Sequence, residues 1–111
     1  VADGKLMMGC VIVRNEFLKN HPDAVRTFMT DYEASVKAAS DIDTTAALCE
    51  TAGIIPKAAV AKQAIPGCNL TFTAGETMKT QINGYFAVLF AANPKSLGGK
   101  LPDDAFYYTG A

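Results

Sequence analysis

The chain carries a single histidine, His21, three cysteines without a Cys-x-x-Cys pair, and no cluster of Lys or Arg interleaved with aromatics. Each shortage excludes a class of function. With one histidine, a Ser–His or Cys–His catalytic pair has one candidate base, and no nucleophile lies near His21 in sequence. His21 falls in a helix break before Pro22, where a cap or a surface residue is the simpler reading. Cys10, Cys49 and Cys68 have neither metal-ligand spacing nor the even count of a disulfide framework. They read as buried free thiols, with one Cys49–Cys68 bridge left open. A formal net charge of −1 argues against nucleic acid. No apolar run approaches the roughly 20 residues of a membrane helix, and charges interrupt each helical stretch. The start, Val1-Ala2-Asp3-Gly4, lacks the basic region and apolar core of a signal peptide. An exported parent would therefore carry its signal upstream or have lost it.

What is present is globular. Hydrophobic residues make up 50% of the 111 and charged residues 19%, which excludes a disordered tail and a highly charged coiled coil. That length suits one small domain able to bury a core.

Residues 6–13, Leu-Met-Met-Gly-Cys-Val-Ile-Val, form a continuous apolar run flanked by Asp3-Gly4 and Arg14-Asn15. Such a run is the signature of one fully buried β-strand, covered on both faces within a parallel or mixed sheet. Only residues 70–73 offer a second strand. A lone strand buried without partners would cost roughly 1–3 kcal/mol for each unpaired backbone group. The missing sheet must come from another chain or from absent parts of a larger protein.

The rest reads as helices. Asn15 caps a short helix through Leu18, and Pro22 occupies the first position of the next, with Asp23 complementing its dipole. Val25, Phe28, Met29, Tyr32, Val36 and Ala39 then form an apolar stripe expected to pack in the core. A third helix runs over residues 44–52, stopped by Gly53, and a fourth over 57–65, opened by Pro56. Pro66-Gly67 is a turn. Thr73 and Glu76 have the spacing of a capping box before a long helix. That helix carries Met78, Ile82, Tyr85, Phe86, Leu89 and Phe90 on one side, with Gly84 within it, and ends at Asn93-Pro94. The remaining residues are a Gly/Pro-punctuated tail whose Phe106, Tyr107 and Tyr108 should dock it on the body. The fold class is mainly α with one or two short strands, organised as a single partial domain over 1–111.

Other motifs carry little. Gly98-Gly99-Lys100 lacks the upstream glycine and the following Ser/Thr of a phosphate loop. Asp41 with Asp43, and Asp103 with Asp104, are better explained by helix capping than by metal binding. Asn69-Leu70-Thr71 matches a glycosylation sequon, a pattern common by chance. No catalytic residue, metal site or cofactor is expected.

Two stretches carry a family resemblance. The first runs over residues 9–25, through Arg14-Asn15-Glu16-Phe17-Leu18 to Pro22-Asp23-Ala24-Val25. It resembles a recurrent strand and helix pair of type II solute-binding proteins, with the pattern (R/K)-x-(D/E)-F-L-x-x-x-P-(E/D)-A-V. These are the extracytoplasmic receptors of ABC importers, here of the nitrate/sulfonate/taurine-like or thiamine-precursor-like group. The second runs over residues 85–108, through Asn93-Pro94-Lys95-Ser96-Leu97-Gly98-Gly99-Lys100-Leu101-Pro102-Asp103-Asp104 to Phe106-Tyr107-Tyr108, and is similar to the carboxy-terminal ending of one branch of the family. Residues 53–61 and 65–69 also look like that branch.

The resemblance implies two α/β lobes joined by a hinge and closing on a small solute. This chain would be the carboxy-terminal segment that returns from the second lobe to finish lobe one. Most ligand-contacting residues would lie elsewhere, with only Met8, Gly9 and Cys10 approaching the cleft. Implied partners are a small solute, bound by the full-length protein, and an ABC permease. The implied location is the periplasm or outer face of the membrane, on a lipoprotein parent, and the unpaired strand invites a homo-oligomer. Two alternatives remain: a free-standing helical interaction module, and a fragment of a same-fold enzyme of thiamine-pyrimidine biosynthesis. The latter calls for His and Cys clusters that this chain lacks.

Overall fold

The computed structural model describes residues 4–110. The chain divides into two compact units, one taking Val1–Asn15 with Thr73–Ala111, the other Glu16–Phe72. Five α-helices appear among the described residues: α1 Asn15–Asn20, α2 Pro22–Ala38, α3 Ile42–Thr51, α4 Ala58–Ala64 and α5 Gly75–Ala92. Single 3-10 turns cover Ile65–Cys68, Pro94–Leu97 and Asp104–Phe106. The protein is mainly α, as its helical periodicities imply.

No β-strand occurs among the described residues, which corrects the expected strands at 6–13 and 70–73. Residues 5–14 have no regular structure, and no turn or inter-segment backbone hydrogen bond of the described residues involves them. The reason is physical: a strand exists only through a neighbour's N–H and C=O groups, and helices supply none. The run is exposed rather than buried, with Met8 at 86% and Ile12 at 87%.

In the 16–72 unit, α1 closes with the His21 N–H donating to the Phe17 carbonyl at 2.8 Å, and the two rings lie 4.9 Å apart. Pro22 opens α2 at its first position, where its missing N–H is not needed. Of the expected α2 stripe, Val25 is buried while Met29, Val36 and Ala39 are half-buried. Phe28 and Tyr32 are exposed instead, stacked on each other at 5.4 Å, with Phe72 edge-on to Tyr32 at 5.9 Å.

The best-packed region of this unit joins α3 and α4. Ala46, Ala61 and Ile65 are buried there, with Ile42, Cys49, Ile55 and Ala58 packed around them. Two alanines at the centre let the helix backbones approach closely. Asp41 caps α3, accepting from the Thr44 N–H at 3.2 Å and the Thr44 hydroxyl at 2.8 Å. At the other end Gly53, with φ +71°, donates to the Glu50 carbonyl at 3.1 Å, and Ile54 donates to that of Cys49 at 2.9 Å. This is a Schellman ending, which needs a residue free to adopt the left-handed region. Glu50 then accepts the Ala58 N–H at the start of α4, tying the two helices across their link. Pro56 lies outside α4, one residue before the capping position at Lys57. Pro66 and Gly67 fall inside a 3-10 turn, which Asn69 ends at φ +51°.

In the other unit, α5 begins at Gly75 behind Ala74, with no side-chain cap. The expected Thr73–Glu76 capping box does not form, because the helix starts one residue late for Thr73 to serve as its cap. Met78, Ile82, Tyr85, Phe86, Leu89 and Phe90 are half-buried, and Gly84 with them. Asn93 ends α5, its side chain accepting from the Lys95 N–H at 3.1 Å. The tail then folds back on the helix. Tyr107 is 8% exposed and donates its hydroxyl to Asn83 Oδ1 at 2.8 Å. Lys79 pairs with Asp104 at 3.0 Å, and Phe106 lies 6.2 Å from Phe86. Of the aromatic triplet, Tyr107 is buried and Tyr108 half-buried while Phe106 stays 60% exposed, so the docking rests on Tyr107.

Candidate functional site

The residues that the resemblance places near a solute cleft are Met8, Gly9 and Cys10, in the middle of the apolar run 6–13. All three are exposed. A Cβ built on Gly9 would meet nothing within 4 Å, so no wall of a cleft closes over the backbone there. The described residues bring no other candidate group to these three. What the segment offers is an exposed apolar run without regular structure.

A groove of about 360 Å³ lies beside the first two turns of α5, lined by Lys5, Glu76, Thr77, Thr80 and Gln81. The rows Glu76/Thr80 and Thr77/Gln81, each four residues apart, share one side of the helix. Reading α5 for its apolar stripe alone missed this side. The signal was there in the polar residues that recur at the same spacing. The groove is open and holds no convergent set of buried polar groups, so it has the shape but not the chemistry of a specific pocket.

The remaining candidates resolve into structural roles. Cys10 and Cys68 are exposed and Cys49 half-buried, which corrects the expectation of buried thiols; all three are free, so the open Cys49–Cys68 bridge is not formed. His21 stands at the capping position of α2 without a side-chain cap. Among the described residues no group of three His, Cys, Asp or Glu could hold a metal ion. One carboxylate of each aspartate pair is a cap and the other an ion-pair partner. Asp41 caps α3 while Asp43 pairs with Lys62 at 2.6 Å. Asp103 caps the last 3-10 turn through the Ala105 N–H at 3.1 Å, while Asp104 pairs with Lys79.

The titration of these groups follows from the same contacts. The Thr44 hydroxyl, and then its N–H, hold the Asp41 carboxyl below the usual carboxylate range. The hydrogen bond to Asp43 raises Lys62, and that to Asp104 raises Lys79, above the usual lysine range. Burial pushes the Tyr107 phenol up. None of these shifts is of the kind that prepares an acid, base or nucleophile near neutral pH.

Among the described residues no helix is long and apolar enough to cross a membrane. Comparison with family models, with curated proteins and with solved structures finds no match to this chain.

Proposed function

We propose that this chain is the returning segment of lobe one in a solute-binding protein of an ABC importer. The protein captures a small molecule outside the cytoplasmic membrane and delivers it to a permease. The observation that carries the reading is the run 6–13: apolar, uncharged, without regular structure and without backbone partners, with Met8 and Ile12 almost wholly exposed. A segment of that composition is stable in water only when a sheet pairs both its edges and helices cover both its faces. It leads directly into α1 and α2, the helix pair broken at His21-Pro22 that the resemblance calls for.

In that role the protein performs no chemical step. Affinity comes from a cleft between two lobes, and closure of the hinge reports occupancy to the permease. Met8, Gly9 and Cys10 are the residues of this chain that approach the cleft, and most of the contacts to solute come from other segments. The chain on its own therefore lacks a complete binding site.

The natural reading frame that carries these residues supplies the test. The expected frame encodes an export signal and the remainder of two lobes, beside genes for a permease and an ATPase. A frame with no export signal and no transport genes beside it overturns the proposal. A thermal-shift screen of the full-length product against small anions and amines then identifies the solute.

A further inference from the structure

We propose that Asn83–Gly84 is a latent modification site, a deamidation switch held shut by α5 and by the docked tail. It is independent of the transport role proposed above.

Asn83 is the one asparagine of this chain followed by glycine; Glu16, His21, Leu70 and Pro94 follow the other four. Glycine puts no side chain in the way when its backbone nitrogen attacks the amide carbon of the residue before it. The reaction needs only water. The Gly84 nitrogen bonds to Asn83 Cγ, the Cγ–Nδ2 bond breaks, and ammonia leaves with the proton that the Gly84 N–H gave up. Water then opens the succinimide ring at either carbonyl, leaving aspartate or isoaspartate at position 83. Asn83 is exposed, so water reaches it.

Two parts of the fold hold the reaction back. α5 runs unbroken from Gly75 to Ala92, so the Gly84 N–H is spent on a carbonyl one turn earlier, and helical ψ does not bring its nitrogen onto the amide carbon. The tail supplies the second hold. The buried Tyr107 donates its hydroxyl to Asn83 Oδ1 at 2.8 Å, which fixes the rotamer of the amide. One turn earlier on the helix, the Lys79–Asp104 pair at 3.0 Å ties down the same tail. Gly84 is the weak point, since glycine is among the poorest residues for a helix interior. Attack therefore waits for α5 to open at Gly84 with the tail undocked. The change is then permanent. Isoaspartate puts an extra backbone methylene into the middle of α5 and interrupts its hydrogen-bond ladder. Aspartate places a carboxylate four residues from Lys79, where it competes with Asp104.

The experiment incubates the 111-residue chain at mildly alkaline pH and follows position 83 by peptide mapping and mass spectrometry. The reference is a free peptide of residues 80–87, too short to hold a helix in water. The peptide should deamidate at least about tenfold faster than the chain. Tyr107→Phe, with its helical content unchanged, should speed the reaction in the chain about two- to fivefold, the population change that loss of one such hydrogen bond brings. Gly53→Ala, which weakens the end of α3 in the other unit, should leave the rate as it is. A chain that reacts as fast as the peptide overturns the proposal, because the fold then guards nothing. A Tyr107→Phe chain that reacts no faster than the parent also overturns it. So does equal acceleration by Gly53→Ala, which would make global unfolding the gate.

Discussion

Removing the Tyr107 hydroxyl tests how the tail is held. Tyr107→Phe keeps the ring, 8% exposed and edge-on to Phe106 at 5.2 Å, and deletes only the hydrogen bond to Asn83 Oδ1. A hydrogen bond of this kind is worth about 0.5–1.5 kcal/mol net. Asn83 is an exposed residue that water can solvate when the hydroxyl is gone, so the lower half of that range, about 0.5–1 kcal/mol, is expected. For a unit of this size a loss of 1 kcal/mol lowers the melting temperature by roughly 4–8 °C. The assay is a double-mutant cycle of Tyr107→Phe and Asn83→Ala, read by thermal or urea unfolding. The double variant should lose less than the sum of the two single losses, because both remove the same bond. Strict additivity would refute the hydrogen bond between Tyr107 and Asn83.

Other perturbations follow from the same geometry. Ala61 is wholly buried between α3 and α4, so Ala61→Leu should overpack that core and cost about 1–3 kcal/mol in urea unfolding. Gly53→Ala forces a Cβ into the left-handed region at φ +71° and should cost about 1–2 kcal/mol, with Gly53→Asn milder. The Asp41 carboxyl is held low, so its contribution to α3 is present above the unfolded-state pKa and lost as pH falls through the folded one. Asp41→Asn should flatten the acid side of the helical melting profile. Lys79 and Tyr107 are both raised, so their contribution is complete below the unfolded values, near pH 10, and lost as pH rises through the folded ones. Alkaline titration of the phenolate absorbance should show Tyr107 ionising above the usual tyrosine range, with loosening of the tail. Calorimetry on the 111-residue chain should detect no tight one-to-one binding of a small anion or amine; such binding would place a complete site within it.

The helices were readable because local chemistry fixes them. Pro22 at a first position, Asp41 as a cap and Gly53 as a left-handed ending act within a few residues, and each does so in the structure. The docking of the tail was readable in part, since Tyr107 of its three aromatics is covered by α5 while Phe106 stays exposed. The run 6–13 is apolar as read but is neither a strand nor buried, because pairing and burial depend on a second segment that no local pattern reveals. Phe28 and Tyr32 failed similarly: helical spacing puts them on the apolar side of α2, but only packing decides which residues of that side are covered. Thr73 and Glu76 had the right spacing, and a helix start displaced by one residue undid the capping box. Of the candidate site, Met8, Gly9 and Cys10 came from resemblance and stand on an open segment, whereas the groove beside α5 needed its polar spacing read as carefully as its apolar stripe.

Amide hydrogen exchange over residues 6–13, at a dilution where light scattering reports a monomer, addresses the central claim most directly. A segment without backbone partners should exchange at the rate of free peptide while the amides of α5 remain protected. Protection of 6–13 equal to that of α5 in the monomer would mean that the segment finds its partners within this chain, and would contradict the proposal that a sheet completed elsewhere covers it.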